Sequence, residues 1–125
     1  MATATKPIDI LVVEDSPVNA DLYRNFLQHA AWRVDFASDG EMAIDKCLAR
    51  EYDIILMDLH MPGLSGIEAA REIRKLSNGQ HCRIFTITAD ANPEHEASSL
   101  AAGCNLHLTK PVLKDRLREL IIANQ

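Results

Sequence analysis

No stretch of this 125-residue chain is apolar for anything near the length of a membrane span, and the opening MATATKP lacks the apolar segment of a signal peptide. The expectation is a protein of the cytoplasm with no direct contact with a membrane. Basic residues are in deficit, 13 Lys and Arg against 18 Asp and Glu for a net charge of −5, and they are scattered along the chain. Nucleic-acid binding by simple electrostatics is disfavoured on that ground. Cysteine is sparse. Cys47, Cys82 and Cys104 are an odd number with no C-x-x-C pair, which argues against a disulfide framework and for small, buried, reduced side chains. The sequence has no phosphate-cradling glycine loop and no nucleophile elbow, so nucleotide cofactors and serine hydrolysis are disfavoured. It also has no internal repeat, low-complexity tract or linker.

What is present is an ordinary globular composition, 47% hydrophobic and 25% charged, in a length suited to one domain spanning residues 1–125. Apolar runs and helical periodicities alternate. Ile8 to Val13 is a short run rich in β-branched residues, followed by Ser16 as an N-cap and Pro17 at the first helical position. Val18, Leu22, Phe26 and Ala30 then recur at helical spacing. Arg33 to Phe36 alternates as a strand with one exposed side, and Asp39-Gly40 opens a helix with Ile44, Cys47 and Leu48 on one face. Ile54 to Met57 is a continuous apolar strand. Past Pro62, Gly63 and Gly66, a helix turns Ile67, Ala70 and Ile73 inward. Arg83 to Thr88 is a fourth strand, and Asn92-Pro93 caps a short helix ending near Gly103. Leu106 to Leu108 is a brief fifth strand, and Val112 to Ala123 a last helix with Leu113, Leu117, Leu120 and Ile121 facing in.

Five such alternations predict an α/β fold, a doubly wound, flavodoxin-like parallel sheet of five strands with helices on both faces. The first and third strands are nearly all apolar, as strands buried on both sides must be, whereas the second and fifth alternate as edge strands do. The order 2-1-3-4-5 satisfies both patterns and puts a topological switch point between strands one and three, where ligands bind at the carboxyl ends. Glu14 and Asp15 follow the first strand and Asp58 ends the third. Any one of these acids alone reads as a turn former or cap. Three at one point read as a site for a hard, oxygen-seeking cation, Mg²⁺ or Mn²⁺, that keeps mutually repelling carboxylates ionised and leaves positions for phosphate oxygens. Thr88 and Lys110 fall at the same rim, a hydroxyl and an ammonium suited to phosphoryl oxygens.

Glu14-Asp15 after VV, Asp58 in ILMDLHMPGLSG, Thr88 in TITADA and Lys110-Pro111 in LTKP together resemble the response-regulator receiver domains of two-component signalling. EDSPVN and MPGLSGIEAAREIR resemble the receivers attached to hybrid histidine kinases, although a stand-alone receiver fits as well. The resemblance implies that Asp58 accepts a phosphoryl group from a phosphohistidine on a histidine kinase or histidine phosphotransfer protein. Asp15 would bind Mg²⁺ directly, Glu14 through water, and the backbone carbonyl of His60 would add a ligand. Thr88 and Lys110 would hold the phosphoryl oxygens, and the Lys110-Pro111 peptide would be cis. It further implies a switch, not a catalyst acting on other substrates, and leaves room for a phosphorylation-dependent homodimer.

Three positions depart from or tune that pattern. His107 stands where the family usually has Tyr or Phe; it reads either as an edge-strand histidine facing water or as a switching residue. His60 and Asp90, two residues after Asp58 and Thr88, sit where access of hydrolytic water is tuned. His29, His81 and His95 read as surface residues. Two other readings share part of the pattern. A haloacid-dehalogenase-like phosphatase would carry its nucleophile in D-x-D after the first strand, where this chain has EDS, and a pseudo-receiver that only binds would lack an acid or the lysine.

Overall fold

In the computed structural model, which describes residues 7–125, strands and α-helices alternate. Strand β1 (Ile8–Val13) precedes α1 (Pro17–Phe26), β2 (Trp32–Ala37) precedes α2 (Gly40–Ala49), and β3 (Ile54–Asp58) precedes α3 (Gly66–Lys75). Strand β4 (Arg83–Thr88) precedes α4 (Pro93–Ala101), and β5 (Leu106–Thr109) precedes α5 (Lys114–Asn124). The strands form one parallel sheet in the order β2-β1-β3-β4-β5. This is the doubly wound, flavodoxin-like topology that the apolar patterning predicts. No helix among the described residues is long and apolar enough to cross a membrane.

Local chemistry starts most of the helices. Ser16 Oγ accepts from Asn19 N at 3.3 Å, Asp39 Oδ1 from Met42 N at 2.8 Å and Asn92 Oδ1 from Glu94 N at 2.9 Å, each satisfying an orphan N–H of a first turn. Ser65 and Glu68 form a reciprocal capping box at the start of α3. Helix α5 has no side-chain cap and begins at Lys114, two residues later than the periodicity suggests. Leu113 remains extended at φ −77° and ψ 148°, so its side chain is exposed and does not join the core.

Strand alternation divides the core into two apolar layers. Leu11, Val13, Ile55, Met57 and Ile84 meet α2 and α3 on one face; Ile10, Val12, Leu56, Phe85 and Ile87 meet Tyr23 and Leu27 of the α1 segment and Leu117 and Ile121 of α5 on the other. Each fully buried Leu or Ile contributes about 1.5–3 kcal/mol. The stripe expected on α1 is displaced. Val18 is 78% and Leu22 46% exposed, while Tyr23 and Leu27 are buried, a rotation of about 100° from the expected face. On α2, Cys47 and Ala43 face inward and Leu48 does not. The three cysteines are free and buried, as expected.

Helix α4 is seated differently from the rest. It contributes no side chain to either apolar layer, and its one buried residue is Ser99. Behind it the guanidinium of Arg74 ties α3 to the adjoining turns, donating to the carbonyl oxygens of Gly79, Cys82 and Gly103 at 2.7–3.0 Å and to Asn105 Oδ1 at 3.0 Å.

Candidate functional site

The carboxyl ends of β1 and β3 are neighbours in the sheet, so the residues that follow them share one rim. Glu14, Asp15 and Asp58 offer carboxylate oxygens that all lie within 4.8 Å of one another. Backbone pairing holds them there: Glu14 N donates to Ala37 O at 3.0 Å and Leu59 N to Ile87 O at 3.1 Å, extending the ladders on both sides of the cluster. Glu14 is 5% and Asp58 6% exposed, whereas Asp15 faces solvent.

Burial and the neighbouring Asp58 push the Glu14 carboxyl up to about 7, against a backbone N–H from Ser16 (3.2 Å to Oε2) and the Lys110 ammonium, which pull it down. A cluster of three carboxylates, two of them buried, fits a small divalent cation by donor type, spacing and charge. Lys110 arrives from β5, far away in sequence. Its Nζ lies 3.7 Å from Glu14 Oε1 and 3.8 Å from Asp58 Oδ2, and the Lys110-Pro111 peptide is cis, as the resemblance implies. Lys110 N also donates to Thr88 O at 2.7 Å, locking the ends of β4 and β5 together.

Asp58 Oδ1 accepts from His60 N at 3.1 Å, so the residue whose carbonyl the resemblance nominates as a ligand already clasps the central carboxylate through its amide. Gly66 is required beneath it. A Cβ there would lie 2.3 Å from Asp58 O and 2.9 Å from Leu59 Cα. Thr88 is fully buried, and its hydroxyl is occupied, accepting from Asp90 N at 3.1 Å.

His107 is half-buried, with Nδ1 turned inward. Its Nδ1 lies 2.9 Å from Thr86 Oγ1, and that hydroxyl also meets Ser99 Oγ and, at 3.2 Å, Leu106 O. Burial lowers its pKa, with Glu96 opposing and His95 adding to the shift. The two buried hydroxyls escaped the sequence reading, although T-I-T in β4 puts Thr86 on the same face as Thr88 by the period of two. His29 and His81 are exposed as expected. His95 is half-buried, with its ring against that of His60 at 5.7 Å between centroids and 65° between planes.

This geometry has close counterparts. The family model for the response regulator receiver domain matches residues 10–122. The sensor histidine kinase AruS of Pseudomonas aeruginosa is 33% identical over 122 residues, covering 96% of this chain and 12% of AruS. The autoinducer 2 sensor kinase/phosphatase LuxQ of Vibrio vulnificus is 35% identical over 116 residues, covering 92% of this chain and 13% of LuxQ. The chain thus spans about an eighth of the length of the curated relatives it matches. The crystal structure of the receiver domain of sensor histidine kinase PA1611 from Pseudomonas aeruginosa, with a magnesium ion coordinated in its active site cleft, superposes with a TM-score of 0.86. It is 36% identical, with 94% of this chain and 97% of that one covered. The chain belongs to the response regulator receiver family, the phosphoacceptor domains of two-component signal transduction.

Proposed function

We propose that Asp58 is the phosphoacceptor, that residues 1–125 act as a single receiver domain in the cytoplasm, and that the donor is a phosphohistidine on a histidine kinase or a histidine phosphotransfer protein. The observation that carries this reading is the convergence of two further carboxylates and one ammonium on a buried, amide-clasped Asp58. Glu14, Asp15, Asp58 and the backbone carbonyl of His60 would hold Mg²⁺ or Mn²⁺. When bound, the ion supplies charge neutralisation for the carboxylates and the incoming phosphoryl oxygens.

The residues of the chain do the rest. An Asp58 carboxylate oxygen forms the new O–P bond as the N–P bond of the phosphohistidine breaks and its electron pair returns to the imidazole. The Lys110 ammonium, standing opposite, draws one phosphoryl oxygen, and the Thr88 hydroxyl turns from Asp90 N to donate to another. That turn transmits the modification to the β4–α4 loop, which makes the domain a switch whose surface reports its phosphorylation. His60, Asp90 and His107 tune it, and a phosphorylation-dependent homodimer is one form its output takes.

Intact mass in Mg²⁺ with and without acetyl phosphate tests the proposal. The expected product carries one phosphoryl group labile to hydroxylamine, and Asp58→Asn abolishes it while keeping the fold. An unchanged rate of labelling in Asp58→Asn, from this donor or a cognate phosphohistidine, overturns the reading.

A further inference from the structure

We infer that His95, on the first turn of α4, is a positioning residue that completes a hydrogen bond to Asp90 only when Asp58 is phosphorylated, and so prolongs the life of the phosphoryl group. The inference rests on Asp58 being the phosphoacceptor.

Four contacts run as a chain from Asp58 to Thr88. His60 N donates to Asp58 Oδ1 at 3.1 Å, and the His60 ring meets the His95 ring at 5.7 Å. His95 Nδ1 faces Asp90 Oδ2 at 3.4 Å, and Asp90 N donates to Thr88 Oγ1 at 3.1 Å. The chain joins the β3–α3 loop, which carries the amide on Asp58, to the β4–α4 loop, which holds the hydroxyl at the end of β4.

One link in that chain is unfinished. His95 Nδ1 is the one enclosed side-chain nitrogen or oxygen among the described residues without a hydrogen-bond partner. The carboxylate nearest it stands at ion-pair distance but outside good hydrogen-bonding geometry, although an N–H···O bond closes at about 2.9–3.0 Å. Enclosed polar atoms left unpaired are rare enough to need a reason.

The reason lies two residues before Asp90. Thr88 Oγ1 now accepts from Asp90 N, and Asp90 Oδ1 accepts from Asn92 N at 3.0 Å, so the resting loop spends both interactions on itself. When Thr88 rotates to donate to a phosphoryl oxygen, Asp90 N loses its acceptor and the loop reseats. A shift of a few tenths of an ångström brings Oδ2 onto His95 Nδ1–H in the tautomer that carries the proton there. A contact made in one state and not the other is what shifts an equilibrium between them. Closing it also fixes the His95 ring against that of His60, whose amide clasps Asp58, and so hinders hydrolytic water.

The test is the decay of the phosphorylated mass in Mg²⁺ after removal of acetyl phosphate. His95→Phe keeps a ring against His60 and removes Nδ1; its phosphoryl group should decay about three- to tenfold faster than that of wild type, the effect of one hydrogen bond. His95→Gln, which restores a donor, should recover most of the lifetime. Asp90→Ala/His95→Phe should decay no faster than Asp90→Ala alone, and the melting temperature and Mg²⁺ response should not move. A His95→Phe lifetime equal to that of wild type, or an effect that adds in full to Asp90→Ala, overturns the inference alone. A wild-type chain that takes up no hydroxylamine-labile phosphoryl group overturns the reading of Asp58 and the inference with it.

Discussion

The ammonium of Lys110 stands 3.8 Å from Asp58 Oδ2, reached from a strand two places away in the sheet. No basic residue lies near Glu14-Asp15 or Asp58 in sequence, so the positive charge at this rim is delivered by the fold alone.

Removing that charge has two separable effects. Lys110→Ala should slow phosphorylation of Asp58 by acetyl phosphate by about 10²-fold, the scale of losing one preorganised electrostatic partner of a transferring group. Mg²⁺ should still raise the melting temperature, since the carboxylates are untouched. Labelling at the wild-type rate would remove Lys110 from the mechanism.

Mg²⁺ binding should strengthen with pH between about 5 and 7.5. Glu14 is raised from 4.5 to about 7 in the folded chain, so through that window the folded state holds a proton that the unfolded state has released. Its contribution to stability is fully present below 4.5 and is lost as pH rises through 7. A cation that needs the carboxylate ionised competes with this proton, so the Mg²⁺-induced rise in melting temperature should be larger at pH 7.5 than at pH 5.5. Glu14→Gln should flatten the difference. Thermal melts at both pH values, with and without Mg²⁺, decide it.

His107 titrates with the opposite sign. Burial depresses its folded pKa below 6.5, so the unfolded chain takes up the proton first and stability falls as pH drops below 6.5 through the folded value. Urea unfolding of His107→Gln against wild type should show a gap that changes with pH in that range and is constant above 7.5.

Thr86→Val should destabilise the fold by about 1–3 kcal/mol, because Ser99 Oγ and His107 Nδ1 both lose a buried partner. Thr86→Val/Ser99→Ala should cost less than the sum of the single changes, as expected of groups in one network. Additive losses in urea unfolding would show that the hydroxyls act independently.

Gly66→Ala should be among the most damaging single-methyl changes in the chain. The added carbon would lie 2.3 Å from the carbonyl oxygen of Asp58, backbone that cannot swing aside. A loss of about 1–3 kcal/mol is expected from overpacking, together with slower labelling of Asp58, because the displaced atom belongs to the proposed phosphoacceptor.

Much of this was legible in the residues. Three helix caps, the strand order and the rim acids were readable because each is encoded within a few positions: Ser16 before Pro17, apolar runs in β1 and β3, acids at their ends. The inward face of α1 was not. Val18 and Leu22 fit helical spacing as well as Tyr23 and Leu27 do, and only the docked angle of the helix chooses between the stripes. The Thr86, Ser99 and His107 network and the Arg74 clasp were hidden for another reason. Their members come together across 5 to 31 residues of chain and carry no local pattern.

Helix α4 rests through Ser99 on the Thr86 hydroxyl, with nothing of its own in either apolar layer. The residues on its outer surface are therefore free of any duty to the core, and exchanging them opens no cavity beneath. In this chain the residues that α4 shows to solvent are separated from those that keep the sheet folded. Changes on that face can accumulate one residue at a time with little effect on stability.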